Sequence, residues 1–369
     1  MSSLSDEDRL LIEGAAGKFI QDNYPFSDRE TRAKQDGKFG RHWSVFAELG
    51  WLALPFASEV GGLGGCVVDT QVLAREFGRG LIAEPWLETM TAGKVIEHGA
   101  ARSEREALLA GLMGGEFCLL LAHGERKVDL NFEHVCCTAT ESSSGYSING
   151  VKRVIWQAAA ADKYLVTTKL NGVPALFLVD KDASGLTLYE YPNVDSRHAA
   201  DIHLEQVAVQ KDALLGKGES AETGVLRAIL FAFGTIIGEV RGIADTLIEL
   251  TAEYMRTREQ FGTKIGHFQA LQHMLADMVI AKEEIQSLEW ISAASATIDD
   301  IGERERIARS AKARTSTVAR GLAETAVQIH GGIGLSDEFV VGHYLRRLLA
   351  IDALYGDGQQ QMLWLASRY

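Results

Sequence analysis

The hydrophobic period of this 369-residue chain changes twice, and that double change limits its fold more than any single residue does. From Ser5 to about Gly115, apolar residues recur at helical spacing, interrupted by glycine-rich turns. From about Phe117 the apolar runs become short: F-C-L-L-L-A, H-V-C-C-T-A-T, Y-S-I-N-G, K-Y-L-V-T-T, A-L-F-L-V-D and L-T-L-Y-E-Y, each bounded by turn residues. That is strand spacing. Near Glu222 the helical period returns, with Leu226, Ile229, Leu230, Phe233, Ile237 and Val240 on one face and Leu271, Met274, Leu275 and Met278 on another. The order predicts an α+β fold of three domains: an N-terminal helical domain over 1–115, a middle antiparallel β domain over 116–221 and a C-terminal four-helix bundle over 222–369.

Local signals agree with this layout. Ser5 stands before D-E-D-R-L-L with Asp8 three positions later, a helix start with acids at the positive end of the dipole. The run Gly61–Gly65, G-G-L-G-G, follows no apolar strand and precedes no Gly-Lys-Ser/Thr, so a loop between helices is expected, not a phosphate cradle. Cys66, Cys118, Cys136 and Cys137 lack metal-ligand spacing and are expected to be reduced and structural. Fifty acidic against 37 basic residues, a net charge of -13, argue against nucleic acid as a partner while leaving room for small anions held by a local arginine. The start M-S-S-L-S-D-E-D has no basic stretch followed by an apolar run, and no segment approaches the ~20 unbroken apolar residues of a membrane span, so a cytoplasmic protein is expected.

Two longer motifs carry more specific information. Arg258 to Met278 reads R-E-Q-F-G-T-K-I-G-H-F-Q-A-L-Q-H-M-L-A-D-M, and Gln328 to Glu338 reads Q-I-H-G-G-I-G-L-S-D-E, followed by Arg346. Both resemble the signatures of the acyl-CoA dehydrogenase family at that family's spacing, and the resemblance covers nearly the whole chain. It implies an FAD cofactor, an acyl-CoA substrate, an electron-transfer flavoprotein as acceptor, and a flavin lying between two protomers. By the same resemblance Arg258 would hold the FAD pyrophosphate, a task suited to a forked, permanently charged donor. Phe261 and Gln269 would pack and hydrogen-bond the cofactor, and Gln328, Gly331 and Gly332 would form the turn where backbone approaches the dinucleotide.

Departures from the family pattern are as informative. Desaturation needs a carboxylate to remove the α-proton while hydride passes to the flavin. Counting from Gln328 through Arg346 puts Tyr355, followed by Gly356, at the usual glutamate, and tyrosine titrates near ~10. Counting back from Arg258 through Gly242 puts Ala232 at the alternative position on the first long bundle helix. The displaced carboxylates to consider are Glu239, about two helical turns beyond Ala232, and Asp357 in the Y-G-D-G turn. The family's T-E-P-x-x-G-S-D segment is replaced by L-L-A-H-G-E-R, and its W-I-T/S segment by Val154-Ile155-Trp156.

The retained residues are those that a protomer lends to its neighbour's flavin, whereas the altered ones serve its own. The resemblance therefore implies a subunit that completes the flavin site of a homologous, base-carrying partner in an α2β2 assembly. It looks most like the small subunit of bacterial heteromeric, pimeloyl-CoA-type dehydrogenases, and steroid and bile-acid side-chain dehydrogenases divide their labour similarly. Two alternatives stand beside it: a self-sufficient, homo-oligomeric dehydrogenase or oxidase using Glu239 or Asp357, and a flavin-free structural subunit.

Overall fold

In the computed structural model, which describes residues 4–29, 42–125 and 132–368, the three-part layout is present. Helices α1 (Asp6–Asn23), α2 (Trp43–Glu48), α3 (Val67–Gly80), α4 (Trp86–Gly99) and α5 (Arg102–Met113) come first. The Ser5 hydroxyl accepts from the Asp8 N–H at 3.1 Å while the Asp8 carboxylate accepts from the Ser5 N–H at 3.1 Å, closing the expected capping box. Such a cap contributes about 1 kcal/mol. Gly61–Gly65 is a loop, and at Gly62 a Cβ would stand 2.1 Å from the Phe56 carbonyl oxygen, so no other residue fits there.

Eight strands follow: β1 (Leu119–Ala122), β2 (Thr138–Glu141), β3 (Tyr146–Trp156), β4 (Lys163–Leu170), β5 (Val173–Asp180), β6 (Leu186–Pro192), β7 (His198–Val209) and β8 (Leu214–Lys217). They form one sheet in the order β6-β7-β3-β2-β4-β5-β8, with β1 also on β4. The expectation of an antiparallel domain needs correction, because β1 and β2 both pair with β4 in parallel. The connections from β1 and from β2 to β4 are long enough for the chain to cross over, and sequence alternation does not report strand direction.

Helix α6 (Glu219–Thr257) then begins one residue after β8 and runs for 39 residues, roughly 58 Å at the α-helical rise. A short hairpin of β9 (Glu259–Gln260) and β10 (Thr263–Lys264) leads to α7 (Gln269–Ser295), α8 (Ile301–His330), α9 (Val340–Ala353) and α10 (Gly358–Ala366). Helix α6 is apolar and long enough to cross a membrane, yet most of its apolar stretch is buried inside the protein, as in a core helix. The reason is a stripe of Gly234, Gly238 and Gly242, on which α3 lies. A Cβ at Gly242 would come within 1.9 Å of the Arg75 carbonyl oxygen, and one at Gly78 of α3 within 2.2 Å of the Glu239 carbonyl oxygen. Above and below the stripe, Thr70 meets Thr235 at 3.1 Å, and the Gln71 amide donates to the carbonyls of Gly234 and Glu289.

Candidate functional site

The residues predicted to meet a neighbour's cofactor gather at one end of the bundle. Arg258 is the first extended residue after α6; its N–H donates to the Tyr254 carbonyl at 2.8 Å and its own carbonyl accepts from Ile265 at 2.9 Å. These bonds pin the β9–β10 hairpin, whose two-residue tip, Phe261 and Gly262, has positive φ at both positions (54° and 78°). That is the turn geometry suited to two-residue hairpins. Phe261 is thereby held 92% exposed. Gln269 opens α7, and Gln328, Gly331 and Gly332 close α8; all four are exposed. The Arg258 guanidinium, also exposed, has no ion pair or hydrogen bond among the described residues. Beside it, an open groove of about 660 Å³ runs between the end of α6 and α7, lined by Met255, Arg256, Lys264, His267, Gln272 and Leu275 among others.

The two base positions tell a different story. Ala232 is fully buried on α6. Tyr355 lies in the turn between α9 and α10 with φ +58°, and burial, followed by the nearby Glu88 carboxylate, pushes its phenol well above the ordinary tyrosine range. The turn is rigidly held. Lys312 of α8 is buried and donates to the carbonyls of Ile351 and Asp352, both at 3.0 Å, and burial lowers its ammonium to about 8. The Gln361 amide donates to the carbonyls of Tyr355 and Gly356, each at 3.1 Å.

Neither displaced carboxylate is free. Asp357 is the N-cap of α10, accepting from the Gln360 N–H at 2.8 Å, so it is committed to a helix start. Glu239 is gripped by Arg347 of α9, whose Nε and Nη2 donate to its two oxygens at 2.7 and 3.1 Å, while Nη1 donates to Asp195 at 3.0 Å. Arg347 is 1% exposed and stands 5.8 Å from the ring centre of Trp156. Burial disfavours its charge, but Glu239 and Asp195 outweigh that and drive its pKa upward. Arg197 joins the cluster through Asp195 at 3.6 Å and the Ile82 carbonyl.

This buried network unites all three domains and was not foreseen from the sequence. Its one legible trace is the second arginine of Y-L-R-R, a charge directly after Arg346 that leads into the apolar run L-L-A-I. Around it remains a cavity of about 20 Å³, the space of one water molecule. Glu88 lines this cavity, buried, with neither carboxylate oxygen hydrogen-bonded among the described residues, and burial raises its pKa.

In the β domain, the H-G-E stretch that replaces the family's flavin-contacting segment is turned inward. Glu125 accepts from the N–H groups of Cys136 (2.6 Å) and Cys137 (3.1 Å) and from the fully buried Lys152 ammonium at 2.7 Å. Lys152 also donates to Thr167 at 2.9 Å, and the His123 ring meets the same hydroxyl at 3.0 Å. The side chains here satisfy one another. The four cysteines are free thiols, and burial pushes those of Cys118 and Cys137 up to about 12, so both are inert.

A helical domain, a β domain and a helical bundle, in that order, define a flavoprotein dehydrogenase architecture. The sequence matches the N-terminal domain of acyl-CoA dehydrogenases over residues 5–116 and their C-terminal domain over 233–369, and the chain belongs to the acyl-CoA dehydrogenase family of FAD-dependent oxidoreductases. It is 26% identical to the benzylmalonyl-CoA dehydrogenase of Aromatoleum aromaticum over 328 residues, 86% of each protein. Among solved structures, the Tcur3481-Tcur3483 steroid ACAD superimposes with a TM-score of 0.85 at 25% identity, covering 98% of this chain and 97% of that one. The ChsE4-ChsE5 complex of Mycobacterium tuberculosis superimposes with a TM-score of 0.86 at 20% identity, covering 100% and 98%, a likeness of fold. The residues gathered at the bundle end can accept FAD: among the described residues Arg258 has no competing partner, and a Cβ at Gly331 or Gly332 would meet nothing, so the space over that turn is open to a dinucleotide.

Proposed function

We propose that this chain is the subunit without a base in a heteromeric, FAD-dependent acyl-CoA dehydrogenase, completing the flavin site of a homologous catalytic subunit. The observation that carries the proposal is Arg347 binding Glu239 through both oxygens, because it commits the carboxylate two turns beyond Ala232 to a buried ion pair. Arg258 would hold the pyrophosphate of the partner's FAD, with Gln269, Gln328 and the backbone of Gly331 and Gly332 around it and Phe261 covering it from the hairpin tip. Bound FAD supplies the hydride acceptor. This chain's residues orient it and shield it from water, and the α-proton of the acyl-CoA leaves to a carboxylate of the partner. Two-chain assemblies among structures of the same fold, in proteins described as a steroid ACAD and as a complex, support the mixed arrangement. An electron-transfer flavoprotein is the expected acceptor, and pimeloyl-CoA-type substrates fit the sequence resemblance.

One observation favours a second reading. Glu88 is a buried carboxyl without a hydrogen-bond partner among the described residues, near enough to Tyr355 to raise its pKa, so a self-sufficient enzyme would draw on it before Glu239 or Asp357. The test is to purify the chain alone and with a base-carrying homologue, then record flavin absorbance per chain and its bleaching by acyl-CoA thioesters. One flavin per two chains, bleached only in the mixed complex and lost on Arg258→Ala, is the expected result. A full complement of flavin on this chain alone, bleached by an acyl-CoA, overturns it and points to Glu88. A colourless mixed complex would make the chain a structural subunit.

A further inference from the structure

The lent half-site comes from two stretches far apart in sequence, Arg258 with its hairpin and the Gln328–Gly332 turn, and something must hold them in register. The contact that joins them is between Tyr254 and His330. Their rings stack with centroids 4.4 Å apart and planes at 26°, and the Tyr254 hydroxyl donates to the His330 carbonyl at 3.4 Å. Tyr254 lies one helical turn before Arg258 and accepts the Arg258 N–H at 2.8 Å. His330 is the last residue of α8, between Gln328 and Gly331. Phe339, just ahead of α9, also packs on the imidazole at 5.3 Å.

The state of the imidazole follows from its hydrogen bonds. Nδ1 lies 2.8 Å from the Ala326 carbonyl and must therefore carry the proton, and Nε2, buried, has no partner among the described residues. A proton on Nε2 would have no acceptor among them. Of the groups packed on the imidazole only Tyr254 titrates, and burial lowers the ring's pKa, opposed only by the Ala326 carbonyl.

Building on the lent-half-site reading, we infer that His330 is a positioning residue: its neutral ring, stacked on Tyr254, ties the glycine turn to the arginine hairpin and so sets the grip on the partner's flavin. The sign of the pH dependence follows. A histidine whose folded pKa is depressed contributes its full share above its ordinary value, ~6.5, and progressively less as pH falls below it. Acid therefore loosens the grip.

The test is FAD affinity of the mixed complex across pH 5.5–8 for wild type, His330→Ala and His330→Phe, with backbone hydrogen exchange over 254–258 and 328–332 in the chain alone. His330→Ala is expected to weaken FAD binding about tenfold, the size of one aromatic pair, and to speed exchange in both stretches. His330→Phe, which keeps the stack and cannot take a proton, should restore affinity and flatten the acid limb. Unchanged exchange and affinity in His330→Ala, or an acid limb that survives in His330→Phe, would overturn the inference. A wild-type complex without flavin would instead refute the lent half-site, while exchange in the lone chain would still report whether His330 ties the two stretches.

Discussion

Removing the guanidinium of Arg347 is the sharpest perturbation of the cluster that joins the three domains. In Arg347→Met, Glu239 loses both of its hydrogen bonds to that residue and Asp195 loses one at 3.0 Å, keeping Arg197 at 3.6 Å. Orphaning one partner of a buried ion pair costs about 3–5 kcal/mol. Unfolding entropy of about 2.1 cal/mol/K per residue gives roughly 0.8 kcal/mol/K over 369 residues, so a 4 kcal/mol loss corresponds to a Tm drop of about 5 °C. Calorimetry at neutral pH reads this directly, and adding Glu239→Gln to Arg347→Met should recover part of the loss because the orphaned charge is gone. Burial works against the Asp195 charge, but Arg347 and then Arg197 hold its carboxyl below the usual range. Its share of stability is therefore present above pH ~3.9 and lost as pH falls through the depressed value; in Arg347→Met the acid limb should begin at higher pH. The assay that decides the functional point is turnover of the mixed complex carrying Glu239→Gln. Destabilisation without loss of kcat is expected. A kcat that collapses while fold and flavin content stay intact would refute the structural assignment of Glu239 and make it the base.

Two further outcomes follow from the geometry. Tyr355→Phe removes a phenol held in its protonated form and should leave turnover of the mixed complex essentially unchanged at constant FAD content, as read by steady-state kinetics. Gly242→Ala forces a Cβ to within 1.9 Å of the Arg75 carbonyl oxygen, so α3 must shift from α6; insoluble protein or a Tm at least several degrees lower is expected by thermal melt, against a near-neutral Gly321→Ala, whose Cβ would meet nothing.

Much of the fold was legible because it rests on periodicity. The face of α6 running through Ile229, Leu230, Phe233, Ile237 and Val240 is buried as its spacing required, and Ser5 with Asp8 forms the cap its order implied. The placement of Arg258, Phe261 and Gly331–Gly332 was readable for another reason: they sit where the chain leaves regular helix, and such positions have strong residue preferences. The parallel pairing of β1 and β2 with β4 was not legible, since alternation is the same in either direction. Nor was the commitment of Glu239. A carboxylate two turns from an empty base position is indistinguishable in sequence from a working one until Arg347, 108 positions later, is seen to hold it. Glu88 escaped notice for the converse reason, because an isolated glutamate on a helix reads as a solvated charge.

The glycine stripe of α6 also sets how the molecule can move. With backbone against backbone at Gly78, Gly238 and Gly242, that part of the contact between α3 and α6 leaves no room for side chains to slide or repack. Hinge and shear motions need a layer of side chains or a loop to absorb them. The N-terminal helices and the bundle are thereby locked backbone to backbone, whereas the β domain joins them through the short links at 114–118 and 218. The bond from Asp195 to Arg347, an arginine that Glu239 fixes within the bundle, ties the β domain to that body.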